Sequence, residues 1–97
     1  MRVAMNGVEE HRGVARIRLA AVLMDQKKYE DALRALDANT DPAFAAMAAD
    51  LRGDVMLAQG RMDEARSSYK VAVEKAGPRN PVKGIAETKL QALGGTQ

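Results

Sequence analysis

LRGDVMLAQGRMDEARSSYKVAVEKA, residues 51–76, reads as the body of one helical hairpin. Small residues stand at Gly53, Gly60, Ala65 and Ala72, and large apolar ones at Leu51, Met56, Tyr69 and Val73. Gly60 has no Cβ to oppose the left-handed conformation that ends a helix, so it marks the stop of the first helix. Beyond it, Met62, Ala65, Tyr69, Ala72, Val73 and Ala76 recur at the spacing of a single helical face.

The pattern repeats. Shifted back by 33 residues, Gly53 falls on Ala20, Val55 on Val22, Met56 on Leu23, Ala65 on Ala32 and Tyr69 on Leu36, while Asp63-Glu64 falls on Glu30-Asp31. A self-match of this period is the signature of a helix-turn-helix solenoid. At these residues the chain resembles the tetratricopeptide repeat, which sets small residues where two helices cross closely and a bulky one in the second helix. The likeness is fuller around residues 51–77 than around 15–40, where Lys27 replaces the turn glycine and Asn39 the later alanine. No tryptophan occurs, so the family's early aromatic is missing.

Ninety-seven residues make one domain at most. The apolar share of 46% is ordinary for a folded domain, and alanine and leucine rather than β-branched residues carry it, which selects an all-α fold. Two tyrosines and one phenylalanine are the whole aromatic content, so the core is built by close helix packing. Solenoids need about three repeats to be stable. Two and a fraction are present, which identifies the chain as a fragment of a longer protein or one with a partner over an end.

In chain order, residues 1–7 read as the tail of a preceding helix, with Asn6-Gly7 as its stop. Repeat one follows at 8–40. Its first helix, about 8–26, is apolar on nearly every side (Val14, Ala15, Ile17, Leu19, Ala21, Val22, Leu23, Met24), as a helix packed between neighbours would be. Its second, 29–38, carries Tyr29, Ala32, Leu33 and Leu36 on one face. Repeat two, 41–77, opens with Asp41 as a cap and Pro42 at the first helical position, where its missing N–H has no partner to lose. Its helices cover 42–59, with Phe44, Met47, Ala48, Leu51, Val55 and Ala58 inward, and about 62–76, closed by Gly77. Asn80-Pro81 repeats the Asp41-Pro42 device. A capping helix then runs to residue 93 within an 80–93 segment, with Val82, Ile85, Ala86, Leu90 and Leu93 on its apolar face, before Gly94-Gly95.

Several function classes are disfavoured. The net charge of +2 arises from 15 basic and 13 acidic residues that alternate along the helices, without a phosphate-binding stripe or an aromatic platform, so nucleic acid is not a partner. Cysteine is absent, and no stretch has the run of about 18 apolar residues that spans a membrane. The chain's start turns polar too soon for a signal peptide. His11, the single histidine, has no second metal-ligand type in helical register, and Ser67 and Ser68 have no base beside them. Neither an enzyme, a cofactor nor a metal is expected.

A binding surface is the reading left. Asp50 and Asp54, four residues apart, place two carboxylates on one helix face, where they are either simply solvated or balanced by a cation. The 33-residue offset sets Ile17 over Asp50 and Ala21 over Asp54, so Arg18 on the neighbouring first helix is the expected donor, locking repeat one to repeat two. First helices line the concave side of a stacked solenoid. Val14, Ile17, Arg18, Ala21, Met24, Met47, Asp50, Asp54 and Leu57 are therefore the expected protein-binding groove, whose methionines adapt to varied apolar segments.

At Ala49-Asp50-Leu51-Arg52-Gly53-Asp54, followed by Ala58 and Gly60, a narrower resemblance is reached. With Arg16-Ile17-Arg18-Leu19-Ala20 and Lys27-Lys28-Tyr29-Glu30-Asp31-Ala32-Leu33, these residues look like the C-terminal repeats of the bacterial YfgM-like family, the ancillary subunit of the Sec translocon. The likeness covers roughly residues 13–93. It implies a periplasmic repeat domain carried by an upstream inner-membrane helix, with translocon subunits and periplasmic chaperones as protein partners. The alternatives are a generic tetratricopeptide scaffold in cytosolic or envelope assembly, and a structural domain whose open repeat end forms a homodimer.

Overall fold

The computed structural model describes the backbone of residues 2–94 and the side chains of residues 12–94. Five α-helices follow one another: α1 Arg2–Asp25, α2 Tyr29–Asp37, α3 Ala45–Ala58, α4 Met62–Lys75 and α5 Val82–Ala92, with a 3-10 turn at Pro42–Phe44 ahead of α3. No strand occurs among the described residues. α1 pairs with α2, α3 with α4, and α5 lies on α4 and α3, while the first hairpin meets the second through α3. The architecture is an all-α helical-hairpin solenoid.

The two hairpin turns are built alike. Gly60 takes φ +77°, with its N–H bonded to the Leu57 carbonyl at 2.9 Å and the Arg61 N–H to the Met56 carbonyl at 2.8 Å. Lys27, the residue 33 positions earlier, takes φ +64° and makes the same pair of bonds, Lys27 N–H to Met24 and Lys28 N–H to Leu23, each 2.8 Å. The geometry is dictated by the turn, so a lysine accepts a conformation that costs a non-glycine residue roughly 1–2 kcal/mol. The helix entries match as well. The Asp41 carboxylate accepts from the Ala43 N–H at 2.9 Å, and the Asn80 side-chain oxygen from the Val82 N–H at 3.0 Å.

The core is a chain of close crossings. Ala20, Gly53 and Ala86, each 33 residues from the next, are buried on α1, α3 and α5. Ala20 sits in a cluster with Ala32, Leu36, Ala48 and Val55. A second cluster joins Ala46, Ala49, Met56, Ala65, Tyr69 and Ala72 to Val82, Ala86 and Leu90 of α5. The Tyr69 ring lies directly on Gly53, where any Cβ would collide with it. Phe44 lies the same way on Gly13 of α1, whose carbonyl also accepts from Asn39 Nδ2 at 3.2 Å.

Some expectations are corrected. α1 runs through Asn6-Gly7 without a stop. A helix stop uses a left-handed residue, and the described glycines with positive φ are Gly60 and Gly94 alone, while an interior glycine costs only about 1 kcal/mol. Met1 and Gly95 lie outside the described residues. At the end of α4 the chain leaves through Ala76 in an extended conformation, not through a glycine stop at Gly77. Met47 and Ala58 of the expected inward stripe are exposed, and Phe44 packs on α1 from the 3-10 turn. α1 is covered on one side only: Leu19 and Val22 are 50% and 51% exposed.

Two glycines of opposite environment test the crossing. Gly53→Ala should lower stability by about 1–3 kcal/mol through overpacking against Tyr69, despite its better helix propensity. Gly84→Ala, whose added Cβ meets nothing within 4 Å, should raise it by about 0.5–1 kcal/mol. Urea denaturation midpoints of the two variants and the parent give the comparison.

Candidate functional site

The 33-residue register sets Val14 beside Met47, Ile17 beside Asp50, Ala21 beside Asp54 and Met24 beside Leu57, at matched positions of the neighbouring helices α1 and α3. The surface they offer is uneven. Val14, Met47 and Leu57 are 37%, 44% and 38% exposed, whereas Ile17 and Met24 are partly buried against the first core cluster. Ala21 is half-buried. Asp50 and Asp54 are occupied by a side chain that sequence reasoning did not single out.

That side chain is Lys89. Its Nζ lies 2.9 Å from Asp50 Oδ2 and 3.1 Å and 3.2 Å from the two Asp54 oxygens, tying α5 to α3. Tyr69 of α4 completes the cluster by donating its hydroxyl to Asp54 Oδ1 at 2.6 Å, with the Lys89 ammonium 5.6 Å from the centre of its ring. Three helices thus converge on one ionic knot. Arg18, the expected donor, lies elsewhere: it lines an open cavity of about 700 Å³ with Val14, Ala15, Leu19 and Val22. The lock joins repeat two to the final helix, not repeat one to repeat two.

The knot has a net charge of −1, and its electrostatics follow. Burial pushes the Asp50 carboxyl above its ordinary value, and the nearby Asp54 charge adds to this, outweighing the hydrogen bond and charge of Lys89. The buried Asp50 Oδ1 has no hydrogen-bond partner. Burial works against the Lys89 ammonium, but hydrogen bonds to Asp50 and Asp54 and their charges together leave its pKa raised. Burial, then the bond to Asp54, pushes the Tyr69 phenol well above its ordinary range, so it remains a donor. These groups hold charge and position. None is paired with a nucleophile or a base in a catalytic geometry.

A signal for Lys89 was present in the sequence. One further step of 33 residues aligns Ala86 with Gly53 and Lys89 with Met56 and Leu23. A lysine at a position held twice by apolar residues points to a buried partner. The side chain of His11 lies outside the described residues. On the helix surface, Arg66 Nη1 donates to the Asp63 carboxylate at 2.6 Å and Arg66 Nε to the Leu93 carbonyl at 3.2 Å, holding the end of α5.

A family model described as a tetratricopeptide repeat-like domain matches residues 2–95. The chain is similar to an ancillary SecYEG translocon subunit of Neisseria gonorrhoeae, 38% identical over 76 residues that make up 78% of this chain and 36% of that protein. A protein of the same description from Escherichia coli is 36% identical over 66 residues, 68% of this chain and 32% of its own length. The chain spans about a third of the length of these curated relatives. No solved structure matches it.

The knot makes an ordered prediction. Lys89→Met leaves two half-buried carboxylates without their cation and should cost about 1–2 kcal/mol. Asp50→Asn removes the charge that burial opposes and should cost less than Lys89→Met, while Arg18→Ala should leave stability unchanged. Because the Asp50 pKa is raised on folding, its contribution is fully present below the ordinary carboxylate value and is lost as pH rises through the folded value. Asp50→Asn should flatten that part of the pH–stability profile. The Lys89 contribution should persist until pH rises past the ordinary lysine value. Thermal melts across pH for the three variants decide the order.

Proposed function

This chain belongs to the tetratricopeptide repeat-like family, and on that footing we propose that it is the partner-docking part of a Sec-translocon ancillary subunit, acting by binding rather than by reaction. The coarse part of this reading, a protein-interaction module, rests on the family. The finer part rests on the likeness to two proteins described as ancillary SecYEG translocon subunits, which runs through 78% and 68% of this chain.

On this reading the module works on the periplasmic side of the bacterial inner membrane, where it links translocon subunits to periplasmic chaperones. No helix of the described residues is long and apolar enough to cross a membrane; the anchor proposed here is an upstream helix, by the likeness to the translocon subunits. The observation that carries the site is the exposed apolar pair Met47 and Leu57 on α3, beside the half-buried Ile17, Ala21 and Met24 of α1. Flexible thioethers on such a face accept apolar segments of varied shape. Asp50 and Asp54 are spoken for by Lys89, so they frame the groove rather than await a ligand's cation.

Affinity capture tests the proposal. The tagged chain would be incubated with detergent-solubilised bacterial envelope, and bound proteins quantified against a Met47→Glu/Leu57→Glu variant. Both substitutions are at exposed positions and should leave stability within about 0.5 kcal/mol per site. Several-fold enrichment of translocon subunits or periplasmic chaperones that the variant loses is the expected result. Enrichment that survives in the variant moves the site off this groove. No enrichment of either class overturns the translocon assignment.

A further inference from the structure

We infer that the cleft between α2 and α4 is a second docking site, which seats one apolar side chain of a partner polypeptide together with the carboxylate of an acidic residue beside it. α2 and α4 each pack on α3 and leave between them a cavity of about 270 Å³ over the first turns of α3. Its floor is apolar, since Leu36, Ala48 and Ala49 are all buried. Val71 of α4 lines it too and is 41% exposed. Two cations line the same cavity, Arg52 of α3 and Lys75 in the last turn of α4. Ligand pockets usually run from about 300 Å³ upward, so this one suits a side chain and its neighbouring head group rather than a long segment.

The cleft is separate from the groove proposed above. With 3.6 residues to a helical turn, Met47, Asp50, Asp54 and Leu57 form one stripe of α3, while Ala45, Ala48, Ala49 and Arg52 form the opposite one. An occupant of either leaves the other open, and the cleft does not depend on the translocon reading.

Charge says what the occupant carries. The Arg52 guanidinium donates to the Asp37 carboxylate, which ties α3 to the end of α2. That bond uses one of the five N–H donors of an arginine, and Asp37 is its side-chain partner among the described residues. Lys75 makes no hydrogen bond or ion pair with the described residues. A lysine in a last turn suits the helix dipole wherever it points; sharing a cavity with an arginine that has donors to spare is particular to this joint. Thirty-three residues to either side, Arg52 falls on Leu19 and Ile85, which are apolar and half-exposed. With Asp37 counted, the cleft carries a net charge of +1, which one carboxylate neutralises while an apolar neighbour covers the alanine floor.

A blocked pentapeptide, Gly-Gly-Asp-Leu-Gly with neither terminus charged, is the probe. It is titrated into the isotope-labelled chain, and amide shifts are followed by NMR. Saturable shifts at Ala48, Ala49 and Val71 are expected. Peptides with asparagine for the aspartate, or glycine for the leucine, should bind at least about threefold more weakly. Lys75→Met, at an exposed position outside the core, should weaken binding by a similar factor and leave the melting temperature in place. Asp37→Asn gives a readout that a purely structural arginine would not move. It removes the carboxylate that competes for Arg52 and should tighten binding at least about twofold. The inference is overturned by the absence of saturable shifts at these residues, by equal binding of either altered peptide, or by Lys75→Met binding as the parent does. An Asp37→Asn variant that does not bind more tightly overturns it as well. So do shifts confined to Met47 and Leu57, since the occupant then lies on the other side of α3.

Discussion

The close crossing of first and second helices at Gly53 is the contact on which the rest of the molecule depends. With no Cβ at that position, the Tyr69 ring lies against the α3 backbone, and it is fully buried there. That one approach fixes the depth at which α4 meets α3, and so where α4 delivers the Tyr69 hydroxyl. Asp54, the next residue of α3, lies within 2.6 Å of it. The ionic knot that holds α5 is thus a consequence of a missing methyl group. Alanines at residues 20 and 86 keep the same approach short on α1 and α5, which is why a chain with three aromatic residues still closes a core.

The periodic parts of this architecture were open to reading in the sequence, because helix faces and close crossings impose spacings. The 33-residue offset located both hairpins, both turns and the small-residue crossings, and Asp41 and Asn80 were readable as caps from the prolines that follow them. The family likeness was likewise carried by the Asp50–Asp54 run. What failed were inferences about pairing and termination. A glycine permits a helix stop without requiring one, so Asn6-Gly7 and Gly77 were misread. Conversely, the α1–α2 turn takes its left-handed residue at Lys27, because the hairpin bonds on either side determine its backbone.

The identity of the cation was missed for a related reason. Residue type and helical register placed two carboxylates on one face, to be either solvated or balanced by a cation, and the structure shows the cation. The choice among fifteen basic residues then turned on which helix lies over that face, and Arg18 was selected by assuming that repeat one supplies it. The side chains of α1 that face α3 are apolar, however, and Arg18 is turned to the opposite side with Leu19 and Val22. The residues expected to line one groove divide accordingly, since Val14 and Arg18 line the outer cavity of α1 while Ile17 and Met24 pack toward the first core cluster.

Lys89 stands on α5 at the register position that holds apolar residues in the two hairpins before it. In the first two repeats the equivalent residues, Leu23 and Met56, pack among side chains that include their own second helix. A lysine fits this position because its long stem can run over apolar surface while its charged end reaches elsewhere. Here that end passes above the Tyr69 ring to two carboxylates on α3. Half-buried ion pairs contribute little net stability, since desolvation offsets attraction, but they favour a single arrangement of the groups that meet. With its acidic pair engaged internally, the proposed groove is left with the exposed apolar atoms of Met47 and Leu57, so the recognition proposed there would depend on shape and apolar burial more than on charge.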